Sequence, residues 1–243
     1  MAPLSESGRE IERFVETYGL TVRHGPFAGL RYPPIARGHV NFLAAKLLGA
    51  YESELHDSIE AIITAAPKQI VDVGSGEGYY VVGFAMRTPP STRIHAFELD
   101  NGERRISVES AKLNQVASRI VFGGYCDPGR LAATLIPGAC LICDCEGYEV
   151  ELLDPGLVPT LRQATMLVEL HPTLRADAEE VICRRFRDTH SIAIIRMTSR
   201  DTQTFPELKN WPARSAYLLV SEGWRSEEER SSLVRCWAFI RPR

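Results

Sequence analysis

Ile70-Val71-Asp72-Val73-Gly74-Ser75-Gly76-Glu77-Gly78 is an apolar, strand-forming run that ends in glycines at every second position. Residues 79–87 follow with few helix breakers until Pro89-Pro90. This pattern predicts a strand, a tight loop and a helix. Because glycine has no Cβ atom, such a loop can turn sharply and let a ligand reach main-chain N–H groups. We therefore predict that the loop binds a nucleotide-like ligand.

Strand and helix signals alternate along the chain from Lys68 onward. Strands are predicted at residues 69–73, 93–97, 118–122, 140–144, 166–170 and 191–197. Helices are predicted at residues 79–86, 102–115, 148–153 and 176–188, with a short one near Leu131. Two further apolar runs, 217–220 and 236–240, predict one or two additional strands, the last one antiparallel.

This alternation predicts an α/β fold, a Rossmann-like, doubly wound and mostly parallel seven-stranded sheet with helices on both faces. Ligands of such sheets bind at the carboxyl ends of the strands. Residues 1–66 carry helical signals around a turn-rich extended segment at 24–34. Since no polar linker follows them, we expect an N-terminal helical cap on one structural unit, residues 67–243.

Composition narrows the class of protein and its partners. A chain of 243 residues with 44% hydrophobic residues can bury a sizeable core. Its net charge of −3 and its pI near 6.1 give no general attraction to nucleic acid or anionic lipid. We expect no signal peptide, and no apolar run reaches membrane-spanning length. We expect a cytoplasmic protein with reduced cysteines and no nucleic-acid or membrane partner, and the oligomeric state stays open.

The residues around the glycine loop indicate which ligand it holds. Glu98 ends the second strand, 20 residues after Gly78, where a carboxylate can bind a ribose diol. The loop spacing is Gly-x-Gly-x-Gly, whereas the dinucleotide fingerprint is Gly-x-Gly-x-x-Gly. Asp72 and Glu77 would repel a pyrophosphate but suit the cationic S-adenosylmethionine. We therefore predict a protein that binds S-adenosylmethionine, and the alternative is a nicotinamide-dependent oxidoreductase.

Acidic residues and a histidine follow the next two strands of the predicted sheet. Asp144, Glu146 and Glu149 come after the fourth strand, where the reacting end of the ligand should lie. Glu169 and His171 share one face at the end of the fifth strand. Asp144, Glu169 and His171 are therefore the catalytic candidates. For Asp144 a helix N-cap is the alternative role.

The remaining cofactor contacts are predicted from position in the chain. Tyr51 and Glu52 are expected to close over the cofactor, although they could simply pack the cap. Lys46 could pair with the cofactor carboxylate. The full predicted cofactor site is Tyr51, Glu52, Asp72, Gly74, Gly76, Gly78, Glu98, Asp127 and Asp144.

The order of these motifs resembles a known family. Asp72-x-Gly-x-Gly-x-Gly, Phe97-Glu98, Asp144-x-Glu146-Gly147-x-Glu149 and Glu169-x-His171 are similar to the FkbM-type branch of class I S-adenosylmethionine-dependent methyltransferases. The likeness covers roughly residues 24–198 and includes Gly49-Ala50-Tyr51-Glu52, while Leu99 stands where the branch often has proline. The resemblance implies O-methylation of a hydroxyl on a small molecule, such as a sugar or natural product. It also implies that Asp127, which follows the third strand, contacts the adenine amino group.

Methyl transfer to a hydroxyl needs alignment and a group that takes the proton. We expect His171 to be that base, oriented by Glu169 or Asp144. In a second arrangement Asp144, Glu146, Glu169 and His171 hold a divalent ion that lowers the pKa of the hydroxyl. A non-catalytic module that binds the cofactor is a further alternative.

Overall fold

The computed structural model describes residues 5–222 and 236–243. The strands are β1 Gln69–Val73, β2 Arg93–Phe97, β3 Ile120–Gly123, β4 Cys140–Cys143, β5 Thr165–Leu170, β6 His190–Arg196 and β7 Cys236–Pro242. The α-helices are α1 Glu6–Tyr18, α2 Leu43–Leu48, α3 His56–Ala65, α4 Tyr79–Arg87, α5 Asn101–Leu113, α6 Pro128–Thr134, α7 Glu149–Leu152, α8 Ala178–Phe186 and α9 Ala213–Val220. Within these described ranges, no helix is both long and apolar enough to span a bilayer.

The strands form one sheet in the order β3-β2-β1-β4-β5-β7-β6. All neighbouring pairs are parallel except those that β7 makes with β5 and β6, which are antiparallel. This confirms the predicted seven-stranded, mostly parallel sheet and its antiparallel last strand. The strand order reverses between β1 and β4, and in such sheets the crevice at the carboxyl ends of these strands binds ligands.

Both faces of the sheet are buried. Because side chains alternate along a strand, Ile70 and Val71 of β1 enter two different hydrophobic clusters. Helices α1 to α5 and α9 contribute to the cluster on the Ile70 face, and α6, α7 and α8 to the one on the Val71 face. β1 lies between them with all five residues buried, as expected for a central parallel strand rich in valine and isoleucine.

Of the two C-terminal runs predicted to supply one or two strands, 236–240 lies in β7 and 217–220 is not a strand. This segment is the end of α9, which follows Pro212. Its buried residues Ala216, Leu219 and Val220 have the spacing of one helix face and pack in the core cluster that also contains α1 and α2. A short apolar run fits a buried strand and a buried helix equally well, so the sequence pattern did not distinguish them.

The predicted extended segment lies between α1 and α2 and is tightly packed. The backbone N–H of Val22 donates to the carbonyl of Leu30, and that of Tyr32 donates to the carbonyl of Leu20, both at 2.8 Å. Phe27, at the turn between them, is 1% exposed. A Cβ atom on Gly83 of α4 would lie 2.4 Å from the Phe27 ring. The N-terminal residues are therefore anchored directly on the helix that follows the glycine loop.

Candidate active site

A cavity of about 590 Å³ lies at the carboxyl edge of the sheet, within the size range of small-molecule sites. Its walls come from the glycine loop after β1, the ends of β2, β4 and β5, and residues from the segment 41–51. The strand order and the local sequence thus bring the predicted motifs to one place. The cavity lies at the crevice where the strand order reverses.

The three loop glycines all have positive φ angles, +80° at Gly74, +50° at Gly76 and +96° at Gly78. A Cβ atom on Gly74 would lie 1.5 Å from the backbone oxygen of Asp144, and one on Gly78 would lie 2.4 Å from Oγ of Ser107. A Cβ atom on Gly76 would meet nothing within 4 Å, and this residue lines the cavity. Gly74 and Gly78 therefore permit close packing, while Gly76 leaves its backbone open to a ligand.

Glu98 lies on the cavity wall with a fixed carboxylate. Its Oε2 accepts a hydrogen bond from the backbone N–H of Gly76 and its Oε1 accepts one from that of Asp100, each at 2.7 Å. A carboxylate oxygen has a further lone pair, so both oxygens can still accept from a ligand. This geometry suits a ribose diol.

Asp72 lies behind the loop and is not among the residues that line the cavity. It is 1% exposed, and its Oδ2 has no hydrogen-bond partner among the described residues. Burial, followed by the charges of Asp144, Glu98 and Glu77, raises the pKa of Asp72 well above its usual value. Its place in the structure is thus beneath the site, beside β4.

Glu77 forms a buried ion pair that the sequence pattern did not reveal. Its Oε1 lies 2.5 Å from Nζ of Lys46 and accepts a hydrogen bond from Tyr32 at 3.1 Å. Nζ of Lys46 also lies 4.6 Å from the ring centroid of Tyr51. Lys46, Tyr51 and Glu77 all line the cavity. The ammonium group balances the charge of Glu77, so this acid does not stand free to repel an anion.

Glu52 is buried beside the cavity and does not line it. Its carboxylate accepts a hydrogen bond from the Tyr80 hydroxyl, and its backbone N–H donates to Oε1 of Glu222 at 3.1 Å. Burial, and next the charge of Glu222, raise the pKa of Glu52 to about 8. Of the predicted pair at the start of this segment, Tyr51 therefore faces the cavity and Glu52 supports it from behind.

Asp127 caps a helix in this structure. Its Oδ1 accepts a hydrogen bond from the backbone N–H of Arg130 at 2.7 Å, at the N-terminus of α6. It is not among the lining residues, whereas Gly124, Tyr125 and Cys126 are. The loop after β3 thus contributes to the cavity the three residues just before the one predicted.

His171 lies at the end of β5, 4% exposed, in contact with Glu149. Nδ1 of His171 is 2.8 Å from Oε1 of Glu149, and that oxygen also accepts from the backbone N–H groups of Cys145 and Gly147 at 3.2 and 3.1 Å. Because this oxygen only accepts, we assign the proton to Nδ1, which leaves Nε2 with a lone pair in the neutral ring. Burial acts to lower the pKa of His171, but its hydrogen bond to Glu149 and the nearby acidic charges outweigh burial and raise that pKa.

Nε2 of His171 faces three carboxylates. Oδ1 of Asp144, Oε2 of Glu146 and Oε2 of Glu169 each lie 3.5 Å from it. All three acids line the cavity. Burial raises the pKa of Asp144, although its hydrogen bond with Glu169 and the charge of His171 act in the opposite direction. The N-cap alternative for Asp144 does not apply, because Tyr148 is the N-cap residue of α7.

The structure therefore brings together the three catalytic candidates and adds Glu149 as the direct partner of His171. Glu146 has a φ angle of +53°, which is strained for a residue other than glycine. The spacing in the sequence showed that Glu149 follows β4 but not that it would contact the histidine after β5. The two residues meet because β4 and β5 are neighbours in the sheet.

No protein-family model matches the chain, and no curated protein sequence does. Solved structures share its fold. The O-methyltransferase TomG from Streptomyces achromogenes, in complex with SAM, has a TM-score of 0.51 at 10% identity, covering 100% of this chain and 92% of that one. An O-methyltransferase from Bacillus cereus in complex with SAH has a TM-score of 0.51 at 8% identity, and the superposition covers 100% of this chain and 93% of that one.

A third solved structure has a different named activity. An rRNA methylase from Streptococcus thermophilus gives a TM-score of 0.50 at 8% identity and covers 79% of this chain and 98% of that one. At such identities the likeness concerns the fold. The seven-stranded sheet, its helices on both faces and these superpositions agree: the chain has a Rossmann-like methyltransferase fold.

Proposed function

We propose that this chain is an S-adenosylmethionine-dependent methyltransferase of the FkbM-type branch and that it methylates a hydroxyl group of a small molecule, such as a sugar. One observation carries the proposal. A single cavity is lined by the open backbone of Gly76, by the fixed carboxylate of Glu98 and by the acids around buried His171. A cofactor site and a group for proton removal thus share one space.

The residues of the cavity fit this cofactor. Glu98 would hold the ribose hydroxyls, Lys46 the carboxylate and Asp144 the ammonium group, since each offers the complementary charge or acceptor. When bound, S-adenosylmethionine supplies an electrophilic methyl group on a positively charged sulfur; its transfer forms a C–O bond, breaks a C–S bond and releases the hydroxyl proton.

The chain itself must align the hydroxyl and take up that proton. The groups placed to do so are the carboxylates of Asp144 and Glu169, which line the cavity, and Nε2 of His171, which lies 3.5 Å from an oxygen of each. They can act in two ways: the imidazole accepts the proton, or the cluster holds a divalent ion that lowers the pKa of the hydroxyl. In both cases Glu149 acts by positioning His171.

The negative charge of the cavity lining supports a small molecule as the methyl acceptor. The acids that line the cavity are Glu77, Glu98, Glu103, Asp144, Glu146 and Glu169. Together with the net charge of −3, they disfavour the close approach of a nucleic-acid backbone. Hydroxyls of a neutral sugar or natural product meet no such repulsion.

The variant His171→Ala tests the proposal. We expect it to lower the rate of methyl transfer by about 10²- to 10⁴-fold, the usual effect of losing a group that removes a proton. The affinity for S-adenosylhomocysteine should stay within about threefold of wild type, because His171 is not among the residues that line the cavity. Calorimetry gives the affinity. Transfer of labelled methyl from S-adenosylmethionine to a panel of sugars and other small hydroxyl compounds gives the rate.

Glu180→Gln is the matched control, because it removes an acid from the exposed surface of α8. Unchanged transfer by His171→Ala would reject the role of this residue. Wild-type protein that does not bind S-adenosylhomocysteine, but is stabilised against heat by NADH, would favour the oxidoreductase alternative. Binding of the cofactor without transfer to any acceptor of the panel would favour a non-catalytic module.

A further inference from the structure

We propose that His171, Asp144, Glu169 and Glu146 form a site for one divalent transition-metal ion in this cavity. Glu149 is the positioning residue that orients the imidazole. The site is argued from the geometry of these side chains, and only the catalytic role of the ion rests on the proposed function.

The first observation is the unpartnered nitrogen of His171. The residue is 4% exposed, and Nε2 has no hydrogen-bond partner among the described residues. Oδ1 of Asp144, 3.5 Å away, is a buried oxygen that also makes no hydrogen bond with them. A buried polar atom left unsatisfied costs about 1–3 kcal/mol, so two such atoms facing each other indicate a missing ligand.

The second observation is the spacing of the cluster. Nε2 of His171 lies 3.5 Å from one oxygen each of Asp144, Glu146 and Glu169. Hydrogen-bonded nitrogen and oxygen atoms would lie about 2.9 Å apart. Ligand atoms on a tetrahedral ion with bonds of about 2.0–2.2 Å are separated by roughly 3.4 Å. The three nitrogen–oxygen distances thus match the separation of two ligand atoms on one ion. Asp144 and His171 also belong, with Glu149, to a group of side chains whose ligand atoms all lie within 4.8 Å of one another.

The third observation is the environment of the other ring nitrogen. Metal-bound histidines donate their second N–H to a carboxylate or carbonyl, which sets the tautomer and the ring orientation. Nδ1 of His171 has such a partner in Glu149, 2.8 Å away. Two backbone N–H groups, those of Cys145 and Gly147, hold the same carboxylate oxygen in place. The imidazole is therefore fixed with Nε2 turned toward the three acids.

The charges around the cavity also favour a cation site. Among the described residues that line it, Lys46 is the basic one, and it is already paired with Glu77. Across residues 5–222 and 236–243, neither Asp144 nor Glu146 forms an ion pair with a lysine or arginine. When the imidazole is neutral, the carboxylates of Asp144 and Glu146 beside it would be stabilised by a divalent cation.

The proposed ligands, one imidazole and several carboxylates, indicate which class of ion would bind. Calcium and magnesium prefer oxygen ligands alone, whereas Mn²⁺, Fe²⁺, Co²⁺ and Zn²⁺ accept a nitrogen among them. The ion would take the acceptor hydroxyl as a further ligand and lower its pKa. The proton would leave to solvent on the side of Glu146, whose side chain is 73% exposed.

Titration of the full chain with Mn²⁺, followed by the EPR signal of the free ion, tests the proposal. Mn²⁺ is the probe because Zn²⁺ could also bind the adjacent thiols of Cys143 and Cys145, whose sulfurs are 3.5 Å apart. We expect wild type to bind one ion per chain. Glu169→Gln and His171→Gln should each weaken binding at least tenfold.

Further variants separate loss of a ligand from loss of the fold. Glu149→Gln should weaken Mn²⁺ binding by about 10- to 100-fold, the usual effect of removing a partner of a metal-bound histidine. Glu180→Gln, on the exposed surface of α8, should bind as wild type. Affinity for S-adenosylhomocysteine shows for each variant that the protein is folded. If His171→Gln does not fold, Glu169→Gln and Glu149→Gln decide the outcome.

Two results would overturn the site. One is wild-type protein that binds S-adenosylhomocysteine but takes up no Mn²⁺ at millimolar concentration. The other is Mn²⁺ binding that none of the cluster variants weakens. Either result, with methyl transfer intact and sensitive to His171→Ala, leaves the proposed function in place with His171 as the base. Failure to bind S-adenosylhomocysteine would instead reject the proposed function, whatever the Mn²⁺ titration shows.

Discussion

Gly74 and Gly76 lie two residues apart in the same loop, and their missing side chains serve different purposes. At Gly74 the backbone of β1 touches that of Asp144, where a Cβ atom would lie 1.5 Å from a carbonyl oxygen. At Gly76 the equivalent atom would project into open space on the cavity wall. One glycine therefore permits the sheet to pack at the crevice, and the other leaves room for a ligand.

Alanine at each position should separate these purposes. Gly74→Ala must move the β1 and β4 strand ends apart, so we expect several kcal/mol of destabilisation, of the order found for overpacked cores (about 1–3 kcal/mol) plus the cost of a positive φ (about 1–2 kcal/mol). Gly76→Ala should cost only the latter but should weaken S-adenosylhomocysteine binding by tenfold or more. Urea unfolding and calorimetry measure the two effects.

Cofactor affinity is the decisive readout for Gly76→Ala. If this variant binds S-adenosylhomocysteine as tightly as wild type, the cofactor does not lie against the loop backbone. If Gly74→Ala unfolds at the wild-type urea concentration, the strand ends tolerate more separation than the contact with Asp144 suggests.

At the scale of elements, the segment between α1 and α2 joins the N-terminal helices to the helix after the glycine loop. Phe27 makes edge-on ring contacts with Tyr79 and Phe84 of α4, with centroids 5.2 Å apart in each case. The absence of a side chain at Gly83 makes room for its ring. An element without regular structure therefore helps to hold α4, and with it the loop, in position.

Phe27→Ala should destabilise the protein by about 3–5 kcal/mol, because it removes a fully buried ring and leaves a cavity. Equilibrium urea unfolding gives this value. Leu157→Ala is the control, since Leu157 is 61% exposed and its loss should cost less than about 0.5 kcal/mol. A similar small effect for Phe27→Ala would show that the segment is not anchored on α4.

At the scale of the whole molecule, buried charges connect the N-terminal residues to the end of α9. Arg200, with 7% of its side chain exposed, forms ion pairs with Glu54 and Glu222, each at 2.6 Å. Glu222 in turn accepts from the backbone of Glu52. These residues are far apart in sequence, so the network exists only in the folded chain.

This network predicts a dependence of stability on pH. Burial and the charges of Glu222 and Asp144 raise the pKa of Glu52 to about 8, from 4.5 in an unfolded chain, and the Tyr51 and Tyr80 hydroxyls only partly oppose this. An acid with a raised pKa stabilises the fold fully below its unfolded pKa and loses that contribution as pH rises through its folded pKa. Stability due to Glu52 should therefore fall between about pH 4.5 and pH 8.

Glu52→Gln isolates this contribution, because the amide stays uncharged and can still accept from Tyr80. The unfolding free energy of wild type relative to the variant should fall with pH by up to about 1.4 kcal/mol per pH unit in that interval, the limit for one proton. Urea unfolding at a series of pH values measures the difference. Parallel curves for the two proteins would show that the pKa of Glu52 is the same in the folded and unfolded states.

The sequence by itself determined the sheet and the edge at which the site lies. Apolar runs and the glycine loop are local signals, so β1 and β2 were predicted at their observed bounds and the other strands within two residues. Since parallel strands place their carboxyl ends together, the positions of Glu98, Asp144, Glu169 and His171 at strand ends indicated one shared site.

Only the tertiary structure decided which side chains meet. The partners Lys46 and Glu77, and likewise Glu149 and His171, come from separate elements, and no local spacing encodes their contact. The segment 217–220 became a helix because it packs against other helices, not because its residues require one. Local patterns determine which residues are buried and where strands end, whereas the order of strands and the packing of helices determine the pairs that give the site its charge balance and its oriented histidine.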